Sequence, residues 1–173
     1  MTEALCRNLE SFTAIIALLA ATVATSASST PVLDPAYGAV LQGAAADKLL
    51  SQCSRPAPEH VEGQWVPSSD QLHDLEMRLP QALEEALAKR KGNNAEASHI
   101  ARQYAGFIAA GRKIIYVNAF TQRETEPPFP GRDPADWRHD AMIVCDGGAV
   151  FFGVEYDPET HTFSHFAFNG SMG

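Results

Sequence analysis

The sequence is poor in basic residues. Its 13 lysines and arginines stand against 21 acidic residues, which gives a formal net charge of -8. No basic stripe offsets this charge, and an acidic surface repels phosphate backbones, so nucleic-acid binding is disfavoured. The one basic run, residues 89–91, lies where a helix is predicted to end, and cations there complement the helix dipole.

The chain also lacks an apolar run long enough to cross a bilayer as a helix. The longest, residues 12–24, is shorter than the roughly 20 apolar residues that a spanning helix needs. A run of small residues follows at 25–29, so residues 1–27 are predicted to be a cleaved signal peptide. Arg7 is the only basic residue before the apolar run, and an uncleaved anchor or a cytosolic amphipathic start are the alternatives. The membrane is expected to be a partner only through this leader.

Cysteine is scarce, with three in the whole chain. Cys6 would leave with the leader, and export would place the other two in an oxidising compartment, so we predict a disulfide between Cys53 and Cys145. Closing a loop of about 90 residues is worth about 4.5 kcal/mol in the chain-entropy model. Two unrelated buried thiols remain an alternative, as does Cys145 acting as a nucleophile with His139 as its base.

No catalytic motif, cofactor motif or internal repeat is present, so no cofactor is predicted. Among six histidines, His161 and His165 are four residues apart. On a strand that spacing spans about 13 Å, which is too far for one ion, so no metal site is predicted.

One long amphipathic helix is the clearest element. Ser68 and Gln71 form a capping box at its start, and leucines recur at three- and four-residue spacing through Leu87. Pro80 predicts either a kink or two helices in tandem. A shorter helix is predicted within residues 36–51, followed by irregular or extended chain to Pro67.

The C-terminal half has strand periodicity. Five strands are predicted near residues 100–108, 113–120, 141–146, 149–156 and 161–168, joined mostly by tight turns that make neighbours antiparallel. The predicted class is α+β, with N-terminal helices packed on one face of a four- to five-stranded antiparallel meander. This order resembles the layout of cystatin-type folds by topology only. The Gln-containing first hairpin of that family is absent, so no residue is carried over.

These elements predict one domain, in which residues 28–67 join the helix and sheet of residues 68–173. Because the long helix can cover only one face of the sheet, the other face is a candidate ligand or partner surface. An alternative is that the N-terminal segment with Trp65 packs over it. Strand alternation assigns to this surface Tyr116, Asn118, Phe151 and Glu155, with Arg102 and Tyr104 as further candidates.

A long loop at residues 121–138 supplies two more candidates, Phe129 and Trp137. Prolines stiffen this loop, and exposed aromatic residues are typical interface anchors. The alternative is that Trp137 folds back onto the core.

The predicted function is an exported small binding protein for a protein or envelope ligand, with an inhibitor or immunity-type role as one form of it. A small hydrolase or metal-dependent enzyme built from sheet histidines and acids is one alternative, and a structural exported domain is another. No catalytic residue is assigned.

Overall fold

A computed structural model describes residues 35–90, 100–125 and 136–170. The predicted signal peptide at residues 1–27 lies outside the described residues, and so does Phe129. Within the described ranges, no helix is both long enough and apolar enough to cross a membrane.

One mixed sheet organises the molecule, and two helices pack on it. Its central strand, β3, pairs with β1 and β2 along one edge and with β4 along the other, and β5 and β6 follow β4. Of the six described strands, only β1 runs parallel to its neighbour. The elements in chain order are β1 Gly38–Val40, α1 Gly43–Lys48, β2 Val61–Trp65, α2 Ser69–Ala88, β3 Ile100–Ala109, β4 Arg112–Thr121, β5 Phe152–Asp157 and β6 Thr162–Phe168. The predicted α+β class is confirmed.

Helix α2 follows the sequence pattern closely. Ser68 and Gln71 form the predicted capping box, and α2 continues through Pro80 as one helix rather than two. Its leucine stripe packs against strands β3, β4 and β5, in a core that includes Ile115, Val117 and Val154. We call this side of the sheet the helix face.

The opposite side, which we call the far face, is also largely covered. Helix α1 packs here with Leu49 against Phe107 and Ile114, so the two helices lie on opposite faces rather than on the same one. Farther along, Trp137, Met142 and Val144 pack over Phe120 and Phe151. Much of this face is therefore covered, in part by the N-terminal segment as the alternative held, although Trp65 itself packs on the helix face.

The strand predicted at residues 141–146 is not formed. These residues run as irregular chain between the buried Trp137 and a short 3-10 turn at Gly148–Val150. Their apolar character is used in packing against the far face instead of in sheet pairing. We call residues 137–147 the covering segment.

Candidate ligand-binding site

Side-chain amides hold the covering segment on the far face. Gln103 of β3 donates to the carbonyl of Asp140 (2.7 Å) and accepts from the amide of Met142 (2.9 Å). Asn118 of β4 donates to the carbonyl of Met142 (2.9 Å), and Asn169 donates to the carbonyl of Asp146 (2.9 Å). These backbone groups are thus satisfied without a partner strand, which explains why a strand-like sequence forms no strand.

A buried arginine joins these amides into one network. The guanidinium of Arg55 donates to the side-chain oxygens of Asn118 and Asn169, and its Nε lies 3.4 Å from the hydroxyl of Tyr116. Arg55 and both asparagines are almost fully buried. Within the described residues Arg55 has no carboxylate partner, so its three donor nitrogens are satisfied by neutral oxygens.

The predicted disulfide between Cys53 and Cys145 is present. It joins the chain just before Arg55 to the covering segment, and both cysteine residues are exposed. The covalent link and the amide network therefore fix the same two segments against each other. A disulfide here is compatible with an extracellular location.

At the other end of the far face a cavity of about 400 Å³ remains open. Its walls come from residues 56–60, from the β3–β4 turn, and from strands β4, β5 and β6. The apolar lining residues are Pro56, Ala57, Ala109, Ala110, Phe166 and Ala167, and the polar ones are Glu59, His60, Arg112, Tyr116, Glu155 and His165. This volume lies in the range of small-ligand sites, in which an apolar wall carries a few polar groups.

The most distinctive polar pair in this cavity is Glu155 with His165. Nδ1 of His165 lies 2.9 Å from Oε2 of Glu155. The Glu155 side chain is 10% exposed, whereas that of His165 is 69% exposed. Within the described residues nothing donates a hydrogen bond to Oε1 of Glu155. A nearly buried carboxylate therefore keeps one oxygen for a ligand.

A β-bulge brings His165 to this position. The pairing of β5 with β6 shifts register between Gly153 and Glu155, and His165 has a positive φ of 51°. Without the extra residue, strand alternation would place the side chains of Glu155 and His165 on opposite faces of the sheet. Bulges that redirect a side chain are frequent beside functional sites.

Backbone strain is concentrated around the same cavity. Among the residues that the structure describes, four other than glycine have a positive φ, and three of them, His60, Ala110 and His165, line the cavity. The amide of Ala110 donates to the carbonyl of His60 (3.2 Å), which links two of them. Left-handed backbone disfavours side chains, and it persists where the surroundings impose it, often at functional sites.

Tyr116 forms the buried end of the cavity. Burial raises the pKa of its hydroxyl, an effect that Arg55 opposes and that the charge of Glu155 reinforces. Tyr116 therefore stays a neutral hydroxyl at physiological pH, between the buried guanidinium on one side and the carboxylate on the other.

The eight candidate surface residues fall into separate groups. Tyr116 and Glu155 line the cavity. Asn118 and Phe151 also lie on the far face, but the covering segment buries them. Trp137 is buried edge-to-face against Phe120, with ring centroids 5.9 Å apart, so it follows the folded-back alternative.

Arg102 and Tyr104 lie on the helix face, which corrects their assignment to the other side. Arg102 forms an ion pair with Glu76 of α2 (2.6 Å) and donates to the hydroxyl of Tyr104 (3.0 Å). Burial, followed by the charge of Glu76, raises the pKa of Tyr104. These three side chains line a cavity of about 300 Å³ between α2 and β1, but they already satisfy one another.

The two histidines considered for metal binding belong to different sites. Nδ1 of His161 lies 2.7 Å from Asp74 on the helix face, whereas His165 pairs with Glu155 on the far face. The hydroxyl of Tyr156 also donates to Asp74, and this hydrogen bond is the main reason that the pKa of Asp74 falls to about 2. No group of three metal-binding side chains occurs in the described part of the chain.

Sequence reasoning did not assign Arg55, Gln103, His165 or Asn169 to the far face. Arg55 stands in a proline-rich stretch that gives no sign of burial. The role of His165 depends on a bulge, which strict strand alternation does not anticipate. Asn169 follows β6 directly, and a short polar residue at a strand end ordinarily indicates a turn.

Comparison with protein-family models, with curated proteins and with solved structures finds no match to this chain.

Proposed function

We propose that the chain is a small exported binding protein whose ligand occupies the far-face cavity. One observation carries the proposal: Glu155 is nearly desolvated, yet only one of its carboxylate oxygens has a hydrogen-bond donor in the described residues. A ligand donor at the other oxygen would compensate for the water that this largely buried side chain has lost. The bulge at His165 and the strained backbone around the cavity indicate that this arrangement is imposed by the fold.

Export is the second part of the proposal. The exposed Cys53–Cys145 disulfide would be reduced in most cytosols, whereas a periplasmic or extracellular compartment preserves such bonds. The apolar leader supports the same compartment. Non-reducing mass spectrometry of the exported protein should find this disulfide, on a chain that starts between about Thr25 and Ser29. A chain that starts at Met1 in the cytosol with free thiols would contradict export.

A fragment screen tests the cavity directly. In ¹⁵N–¹H correlation spectra, bound fragments should perturb amides around the cavity, such as those of Ala110, Glu155 and Ala167. The variant Ala167→Phe should fill the cavity and abolish these shifts. Ala88→Phe, the same change at an exposed position near the end of α2, should leave them intact. Fragments that perturb only the helix-face cavity between α2 and β1 would overturn the proposal.

The same pair of residues favours a hydrolase as the second candidate. A carboxylate that holds Nδ1 of an exposed histidine leaves Nε2 available as a general base, which is how many hydrolytic sites orient their base. Tests with activated esters distinguish the candidates. Turnover that His165→Ala abolishes, without loss of fragment binding, would favour the enzyme.

A further inference from the structure

Taking the far-face cavity as the ligand site, we propose that its ligand is a small organic cation, such as an amine or amidine, bound by Oε1 of Glu155. This inference rests on the proposed function. It adds the sign of the ligand's charge and the atom that recognises it.

The hydrogen bonding of the carboxylate indicates a donor. A carboxylate can accept about four hydrogen bonds, and Glu155 accepts one from the described residues, through Oε2. With its side chain 10% exposed, the group retains little access to bulk water. A ligand donor at Oε1 would make a charge-assisted hydrogen bond, which is about twice as strong as a neutral one.

The cations near the cavity are already committed. Arg112 forms an ion pair with Asp157 (3.4 Å). Arg55 directs its guanidinium at the side chains of Asn118, Asn169 and Tyr116. An anionic ligand would have to compete for either guanidinium.

The acidic side chains of the cavity, by contrast, both contribute negative charge to it. Two carboxylates, those of Glu59 and Glu155, line the cavity against one arginine, Arg112. The chain as a whole carries a formal net charge of -8. Both the local groups and the overall field therefore favour a cation.

The apolar wall defines the rest of the ligand. Pro56, Ala57 and Ala167 supply apolar lining to the cavity that Glu155 also lines. A compact apolar body with one terminal cationic group matches this combination. Benzamidine has this composition, and its neutral analogue benzamide and anionic analogue benzoate have nearly the same shape.

The experiment titrates the oxidised protein with benzamidine, benzamide and benzoate while the amide shifts of the cavity residues are followed by NMR. We expect benzamidine to bind most tightly and benzoate least. Glu155→Gln should weaken benzamidine by about tenfold or more, because a charge-assisted hydrogen bond is lost. Glu159→Gln removes the same charge from an exposed position on the β5–β6 turn and should change affinity less than about twofold.

Each outcome decides the matter. Equal binding of all three probes, or benzamidine binding that Glu155→Gln leaves unchanged, would refute the cation while keeping the cavity as a ligand site. Tighter binding of benzoate would refute it in the same way. If no probe at millimolar concentration perturbs the cavity residues, and no fragment does so either, both the cation and the proposed function fail.

Discussion

Replacing Asn118 by leucine tests how the far face is held together. Asn118 is 2% exposed, and its amide nitrogen donates to Gln103 (2.8 Å) and to the carbonyl of Met142 (2.9 Å). Its oxygen accepts from Arg55. Leucine has the same branching pattern but can make none of these hydrogen bonds, so the variant removes the centre of the network without opening a cavity.

The expected loss follows from the groups left without a partner. A nitrogen of the Arg55 guanidinium and the carbonyl of Met142 both lose their partner, and each buried orphan costs about 1–3 kcal/mol. Burial of the apolar leucine side chain offsets part of this loss in the free energy of unfolding. We expect Asn118→Leu to lower the free energy of unfolding by about 3 kcal/mol.

Urea denaturation measures this change. The midpoint should fall by about 1–2 M with an unchanged slope, because the surface exposed on unfolding stays the same. Gln42→Leu is a matched control, since Gln42 is exposed and its side chain makes no capping hydrogen bond to α1. It should change stability by less than about 0.5 kcal/mol. An Asn118→Leu protein as stable as Gln42→Leu would refute the structural role of the network.

Three further predictions concern other parts of the fold. Replacing Cys53 and Cys145 by serine should lower the free energy of unfolding by up to about 4.5 kcal/mol, the entropy of the open loop, and reducing agent should then have no added effect on urea unfolding. Gly106→Ala should lower the free energy of unfolding by about 1–3 kcal/mol, because the new Cβ would lie 2.3 Å from the backbone oxygen of Trp65. The control Gly63→Ala, whose new Cβ would have its nearest atom 3.9 Å away, should lower it less in the same urea assay. Equal losses in the two variants would contradict the packing around Gly106. Because the pKa of Asp74 is lowered from 3.8 to about 2, its ionised side chain stabilises the fold above pH 3.8, and this stabilisation is lost as the pH falls toward about 2. The difference in urea midpoint between wild type and Asp74→Asn should therefore shrink over that pH range. A constant difference would exclude this linkage.

Local signals in the sequence were sufficient where the structure is local. The capping box and leucine spacing of α2 lie within one stretch of chain, as do the alternating patterns of β3 and β4. The pairing of Cys53 with Cys145 followed from composition and the expected compartment. These features depend little on what the rest of the chain does.

The elements that were missed depend on distant partners. Residues 141–146 have strand composition, but their backbone groups bond to amides of Gln103, Asn118 and Asn169 from elsewhere in the chain. Strands β1 and β2 have only three and five residues, too few for a clear periodic signal. Two predicted residues, Tyr116 and Glu155, do line the far-face cavity, because strand alternation holds in β4 and β5, and the bulge next to them lies in β6.

The most direct test of whether the covering segment closes its part of the far face is hydrogen exchange of the Met142 amide, measured by NMR. Met142 lies outside every strand, yet its amide donates to the buried Gln103 side chain. Slow exchange at Met142, comparable with that of β5, is the result expected of a segment held on the sheet. Exchange as fast as that of an unstructured peptide would show that the far face is open along the covering segment, and would contradict this account.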